Sequence, residues 1–138
     1  MRQTKALASV LVVDDDEAVA TVLQDILLIA GYQVSVTSSS SVALAAITKG
    51  TFDVLIYDLS VNGKQGCFQF LASCLKYCPG LVILLITGFA DEGTRRQAAN
   101  LTIRLLEKPF LATDLLAQVS ALVSEADLSL EKAQRNTA

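Results

Sequence analysis

The sequence predicts an α/β fold, an open and mostly parallel sheet with helices on both faces. Three observations predict it. Short apolar runs alternate with helical patterns five times along the chain. The run from Leu81 to Ile86 is apolar without interruption, as a strand buried on both faces requires. The length of 138 residues suits one domain with a real core and not comfortably two.

The first strand is Val10-Leu11-Val12-Val13, and Asp14-Asp15-Asp16 follow it. A helix over Glu17 to Ala30 has Val19, Val22, Leu23, Ile26 and Leu27 at helical spacing, and Gly31 stops it. A short second strand covers Gln33 to Val36. Four serines, Ser38 to Ser41, offer an N-cap to a helix from Val42 to Lys49, which Gly50 closes. Phe52 to Tyr57 forms the third strand and ends at Asp58. A loop containing Gly63 and Gly66 leads to a helix striped with Cys67, Cys74 and Cys78, which Pro79-Gly80 terminates. After the fourth strand comes a short polar helix, roughly Asp91 to Ala99. Thr102 to Leu106 reads as a fifth strand. Lys108-Pro109-Phe110 introduces a last helix with Leu115, Leu116, Val119, Leu122 and Val123 on one stripe. The expected division is an N-terminal extension over 1–7, one domain over 8–124, and a helix extension or linker over 125–138.

Composition narrows the function classes. With 52% hydrophobic residues and 2 Pro the chain is globular, not disordered. Net charge is -3 and the longest basic run is Arg95-Arg96, so direct nucleic-acid binding is not expected. There is no His, which removes the commonest general base and metal ligand. The three cysteines have neither zinc nor disulfide-framework spacing, and their common stripe marks them as small buried hydrophobes. The run Ala6 to Val13 is short, ends at acid and lacks a cleavage site, so it is not a signal peptide. No run approaches the ~20 apolar residues of a membrane span. A cytoplasmic location is expected.

In an open α/β sheet the ligand site lies beyond the carboxyl ends of the strands. The residues leaving those ends are Asp14, Asp15, Asp16, Asp58, Thr87 and Lys108. Such a sheet sets its first and third strands side by side, which gathers Asp14, Asp15 and Asp58. Two like charges at ~4 Å repel by about 4 kcal/mol at an effective dielectric near 20, so the cluster needs a cation. Carboxylates with a carbonyl and waters suit Mg²⁺. An ionised carboxylate is a nucleophile that needs no base. With Lys108 and Thr87 beside it, the set supports phosphoryl transfer. Asp16 and Glu17 are read as helix-cap and dipole residues, and Arg95, Arg96 and Arg104 as a solvated face.

Val10-Leu11-Val12-Val13-Asp14-Asp15, Asp58-Leu59 with Gly66, Thr87-Gly88 and Lys108-Pro109-Phe110 together resemble the receiver domain of two-component response regulators over about residues 8–124. The resemblance implies a flavodoxin-like, doubly wound five-stranded parallel sheet of order 2-1-3-4-5 with five helices. It implies that Asp58 is the phosphoacceptor, charged by a histidine kinase or histidine phosphotransfer protein. Asp15, Asp58 and the carbonyl of Ser60 would ligate Mg²⁺ directly and Asp14 through water. Lys108 would pair with the phosphoryl group, Thr87 and the residue at Leu105 would form the switch, and Pro109 would follow a cis bond. The chain would be a regulatory domain rather than an enzyme, passing its signal to a downstream protein or output domain, with homodimerisation through the last helices as a further option.

Two positions depart from the family pattern. Asn62 stands where the family carries Pro, which is expected to loosen the loop over the site. Leu105 stands where the family carries Tyr or Phe, which puts the output mechanism in question. A phosphate-independent interaction module of the same fold is therefore one rival. The other is a haloacid-dehalogenase-type phosphatase using Asp14-Asp15-Asp16, disfavoured by Ala18 and by the short chain.

Overall fold

The computed structural model describes residues 8–137; the expected N-terminal extension, 1–7, lies outside the described residues. Five strands form one parallel sheet: β1 (Ser9–Val13), β2 (Gln33–Thr37), β3 (Val54–Asp58), β4 (Val82–Thr87) and β5 (Arg104–Glu107). Their order is β2-β1-β3-β4-β5. Five helices connect and follow them: α1 (Glu17–Ile29), α2 (Ser40–Thr48), α3 (Gly63–Tyr77), α4 (Glu92–Asn100) and α5 (Ala112–Thr137). This is the expected doubly wound topology, and the helix after β5 runs well beyond Glu125.

The period-2 alternation of the strands divides the core into two layers. Leu11, Val13, Leu55, Tyr57, Ile83 and Leu85 pack against Ala43 and Ile47 of α2, Cys67, Leu71 and Cys74 of α3, and Ala98 of α4. Val10, Val12, Val54, Ile56, Leu84 and Ile86 pack against Leu23 and Leu27 of α1 and Leu115, Val119 and Leu122 of α5. Burying each such aliphatic side chain contributes about 1.5–3 kcal/mol against leaving it exposed. Cys67 and Cys74 are buried as expected, while Cys78, at the end of α3, is only half-buried. Burial pushes the Cys67 and Cys74 thiols up to about 12, so neither is a ready nucleophile.

Local chemistry sets the ends of the elements. Asp16 is the N-cap of α1, its carboxylate accepting from the amides of Ala18 and Val19. The serine run caps α2 through Ser39, so that helix begins at Ser40 and not at Val42. Gly63 and Gly66 were expected in a loop; both lie in the first turn of α3, which Gly63 enters at φ +69°. Thr102 was expected in the fifth strand. It sits instead at φ +58° beyond the end of α4, where its amide bonds to Ala99 and that of Ile103 to Ala98. This is a Schellman closure with a β-branched residue in the left-handed position that usually takes Gly, and it delays β5 to Arg104.

Candidate functional site

The site lies at the carboxyl ends of β1, β3, β4 and β5, on the side of the sheet where strand order reverses between β1 and β3. Register makes the convergence a consequence of pairing: Val13 lies opposite Tyr57, Asp58 opposite Ile86, and Thr87 opposite Glu107. The residues just beyond these pairs therefore share one rim. The amide of Lys108 donates to the carbonyl of Thr87 at 2.8 Å, which fixes the lysine at that rim, and the Lys108–Pro109 bond is cis.

Asp58 is 2% exposed and ends β3. Its Oδ1 accepts from the Ser60 amide at 2.9 Å and from the Ser60 hydroxyl at 2.7 Å. Its Oδ2 faces Nζ of Lys108 at 2.5 Å. Burial alone would raise this carboxyl; the Lys108 and Ser60 hydrogen bonds outweigh it and hold Asp58 below the ordinary carboxylate value. Lys108 is displaced the opposite way: burial opposes its charge, but Asp58 and then Asp14 favour it, and the ammonium is held above its ordinary value. Both partners are thus ionised at neutral pH.

Asp14 is also 2% exposed. Its Oδ1 accepts from the Asp16 amide at 2.9 Å, while Oδ2 is buried without a hydrogen-bond partner. Burial, with the nearby Asp58 charge, raises this carboxyl to about 6 despite the Asp16 amide. Two buried carboxylates thus face one ammonium, and the balance is negative. Asp15 is exposed at the rim, its Oδ1 3.4 Å from the Ser60 hydroxyl. Of the three acids expected to gather here, Asp14 and Asp58 are buried and Asp15 lies at the edge. Among the described residues no three acidic, His or Cys side chains already close into a metal cage. Mg²⁺ does not demand one, since it keeps several waters and uses one or two carboxylates. The orphaned Asp14 oxygen and the hard-oxygen donors fit such an ion.

Thr87 is buried, but its hydroxyl points along the chain. It donates to the Phe89 carbonyl at 3.0 Å and accepts from the Phe89 amide at 3.2 Å. Leu105 is half-buried and packs toward the layer of α3 and α4. The arginines of the expected solvated face are paired: Arg95 with Glu107, Arg96 with Glu92, and Arg104 with Glu125.

Three contacts went unseen in the sequence. The Ser60 hydroxyl bonds to Asp58, which an Asp followed two residues later by Ser could have signalled. Lys64 pairs with Asp91, the N-cap of α4, at 3.1 Å. That carboxylate, which also takes the Thr94 amide, is held down to about 2. Asn62 donates through Nδ2 to the phenolic oxygen of Tyr57 at 2.9 Å, so the expected loosening of this loop is not what its side chain does. No local pattern announces that pair.

The family model for the response regulator receiver domain matches residues 10–120. The response regulator protein FleR of Pseudomonas aeruginosa is 30% identical over 93% of this chain. The DNA-binding transcriptional regulator NtrC of Rhizobium meliloti is 31% identical over 86% of it. The chain spans less than a third of either relative, 29% of FleR and 24% of NtrC. A CheY-like receiver domain protein from Methanospirillum hungatei superposes with a TM-score of 0.81 at 25% identity, covering 89% of this chain and 98% of its own. Described residues include no helix long and apolar enough to cross a membrane. From fold, rim and family match together, the chain belongs to the response regulator receiver domains of two-component systems.

Proposed function

We propose that the chain is a phosphoacceptor switch in which Asp58 takes a phosphoryl group from a phosphohistidine on a histidine kinase or phosphotransfer protein. The observation that carries this is the state of Asp58: buried, ionised and held between Ser60 and Lys108 at the open end of the sheet. A carboxylate oxygen attacks phosphorus; the P–O bond forms as the P–N bond breaks, and the electron pair stays on the imidazole nitrogen. No base is needed, because the nucleophile carries no proton. Lys108 neutralises Asp58 beforehand and afterwards faces the phosphoryl oxygens. Asp15, Asp58, the Ser60 carbonyl and, through water, Asp14 would hold Mg²⁺, which would supply positive charge to those oxygens.

The Thr87 hydroxyl must leave Phe89 to reach the new phosphoryl group. Exchanging those two hydrogen bonds rearranges the β4–α4 loop, with Leu105 refilling the space behind it. Residues 8–124 would form the switching unit, and 125–138 would carry the change onward to an output domain, a downstream protein or a second copy of the chain. The setting is cytoplasmic, and the net charge of -3 gives no footing for direct nucleic-acid contact.

The test is the intact mass after incubation with Mg²⁺ and a small acyl-phosphate donor. One added phosphoryl group is expected, absent with chelator and absent in Asp58→Asn. A native chain that stays unmodified, also with a kinase partner, would favour the phosphate-independent module.

A further inference from the structure

The loop after the phosphoacceptor is held at both ends. Its start is bound to Asp58 itself, whose Oδ1 takes the amide and hydroxyl of Ser60. Its end is bound to the residue before Asp58: Asn62 donates to the Tyr57 phenol at 2.9 Å. Adjacent strand residues face opposite layers, so the loop leaves β3 on the Asp58 side and returns to the Tyr57 side.

The second anchor is a built feature. Tyr57 is fully buried, and its ring stacks on Phe70 of α3 with centroids 4.9 Å apart and planes 25° apart. Its oxygen therefore has a fixed position. Asn62 is admitted by a missing side chain: a Cβ on Gly66 would stand 3.1 Å from the Asn62 Cβ. Gly63, at φ +69°, turns the chain directly from Asn62 into α3. Asn62 makes no side-chain cap to α3, and its Nδ2 donates to Tyr57.

We infer that Asn62 and Tyr57 are positioning residues for the phosphoryl site, a latch that presets the Ser60 backbone for cation binding beside Asp58. The inference rests on the phosphoacceptor reading above. Between Asp58 and Asn62 lie only Leu59, Ser60 and Val61, a single 3-10 turn. Ser60 thus cannot move without straining one anchor, and releasing the latch frees the carbonyl that would face the ion. Ordering that carbonyl must then be driven by cation binding itself.

The experiment uses the whole chain with Tyr57→Phe, which keeps the stack, Asn62→Ala, and the double variant. The Mg²⁺ concentration for half-maximal phosphorylation by a small acyl phosphate is measured, alongside Mg²⁺ binding by calorimetry without any phosphate donor. Each single variant is expected to raise both values about threefold to tenfold, the equivalent of one net hydrogen bond. The rate at saturating Mg²⁺ should be retained. The double variant should match the singles, since both break one bond. Unchanged Mg²⁺ dependence with merely lower melting temperature, or additive losses, would overturn the latch. A native chain that binds Mg²⁺ but takes no phosphoryl group would overturn the phosphoacceptor reading and leave the calorimetric arm to judge the latch. A native chain that binds no Mg²⁺ would overturn the latch itself.

Discussion

Lys108 Nζ stands 2.5 Å from Oδ2 of Asp58, a half-exposed ammonium against a carboxylate that is almost wholly buried. The pair helps explain how a buried acid stays ionised. It also makes Lys108 part of the resting fold as well as of the chemistry. Lys108→Ala leaves Asp58 and Asp14 buried without a counter-charge. We expect roughly 1–3 kcal/mol of lost stability at pH 7.5 in chelator, below the full value for a buried pair because the lysine is partly solvated. Phosphorylation should persist, while any phosphate-dependent conformational change is lost. Urea denaturation and intact mass check the two parts.

Asp14 gives a pH dependence of the opposite sign to that of Asp58. Its folded carboxyl sits near 6 against 3.8 ordinarily, so the folded chain keeps a proton that the unfolded chain releases. The Asp14 contribution is most favourable below pH about 4, falls as pH rises to about 6, and stays low above that. Asp14→Asn should therefore raise the melting temperature at pH 7.5 in chelator, by at most the equivalent of about 3 kcal/mol. The advantage should shrink toward pH 4. Addition of Mg²⁺ should stabilise the native chain more than the variant. Equal melting of both chains at pH 7.5 in chelator would count against this.

Thr87→Ala removes both hydrogen bonds to Phe89, about 0.5–1.5 kcal/mol each. Phosphorylation of Asp58 should continue. Amide hydrogen exchange over residues 88–92 should change on phosphorylation in the native chain and stay constant in the variant. A full response in Thr87→Ala would assign the switch elsewhere.

Thr102 adopts a left-handed conformation that a β-branched residue resists, while its side chain is exposed. Thr102→Gly should raise stability by ~1 kcal/mol with no effect on phosphorylation. Chemical denaturation decides it.

Thr102 also shows where sequence patterns fail. A threonine followed by Ile103 looks like a strand start, because β-branched residues favour strands. The closing hydrogen bonds of α4 overrode that preference. Gly66 misled for a related reason: it serves a close approach by Asn62 inside a helix, not a loop. By contrast the five strands and their helices were legible as apolar runs alternating with helical patterns, and the strand order was what the family resemblance implied. The site was legible as residue types at strand ends, and Asp58, Lys108, Asp14 and Thr87 do share one rim. What periodicity could not convey is side-chain direction: that Asp15 stays exposed, that Thr87 turns to Phe89, and that Asn62 reaches Tyr57.

The account turns on which oxygen receives phosphorus. After treatment with a small acyl phosphate and Mg²⁺, borohydride reduces an aspartyl phosphate to a stable alcohol that peptide mass spectrometry can place. The expected result is a single reduced residue at Asp58, lost with chelator. A reduced residue at Asp14 or Asp15 instead, with Asp58 intact, would contradict it.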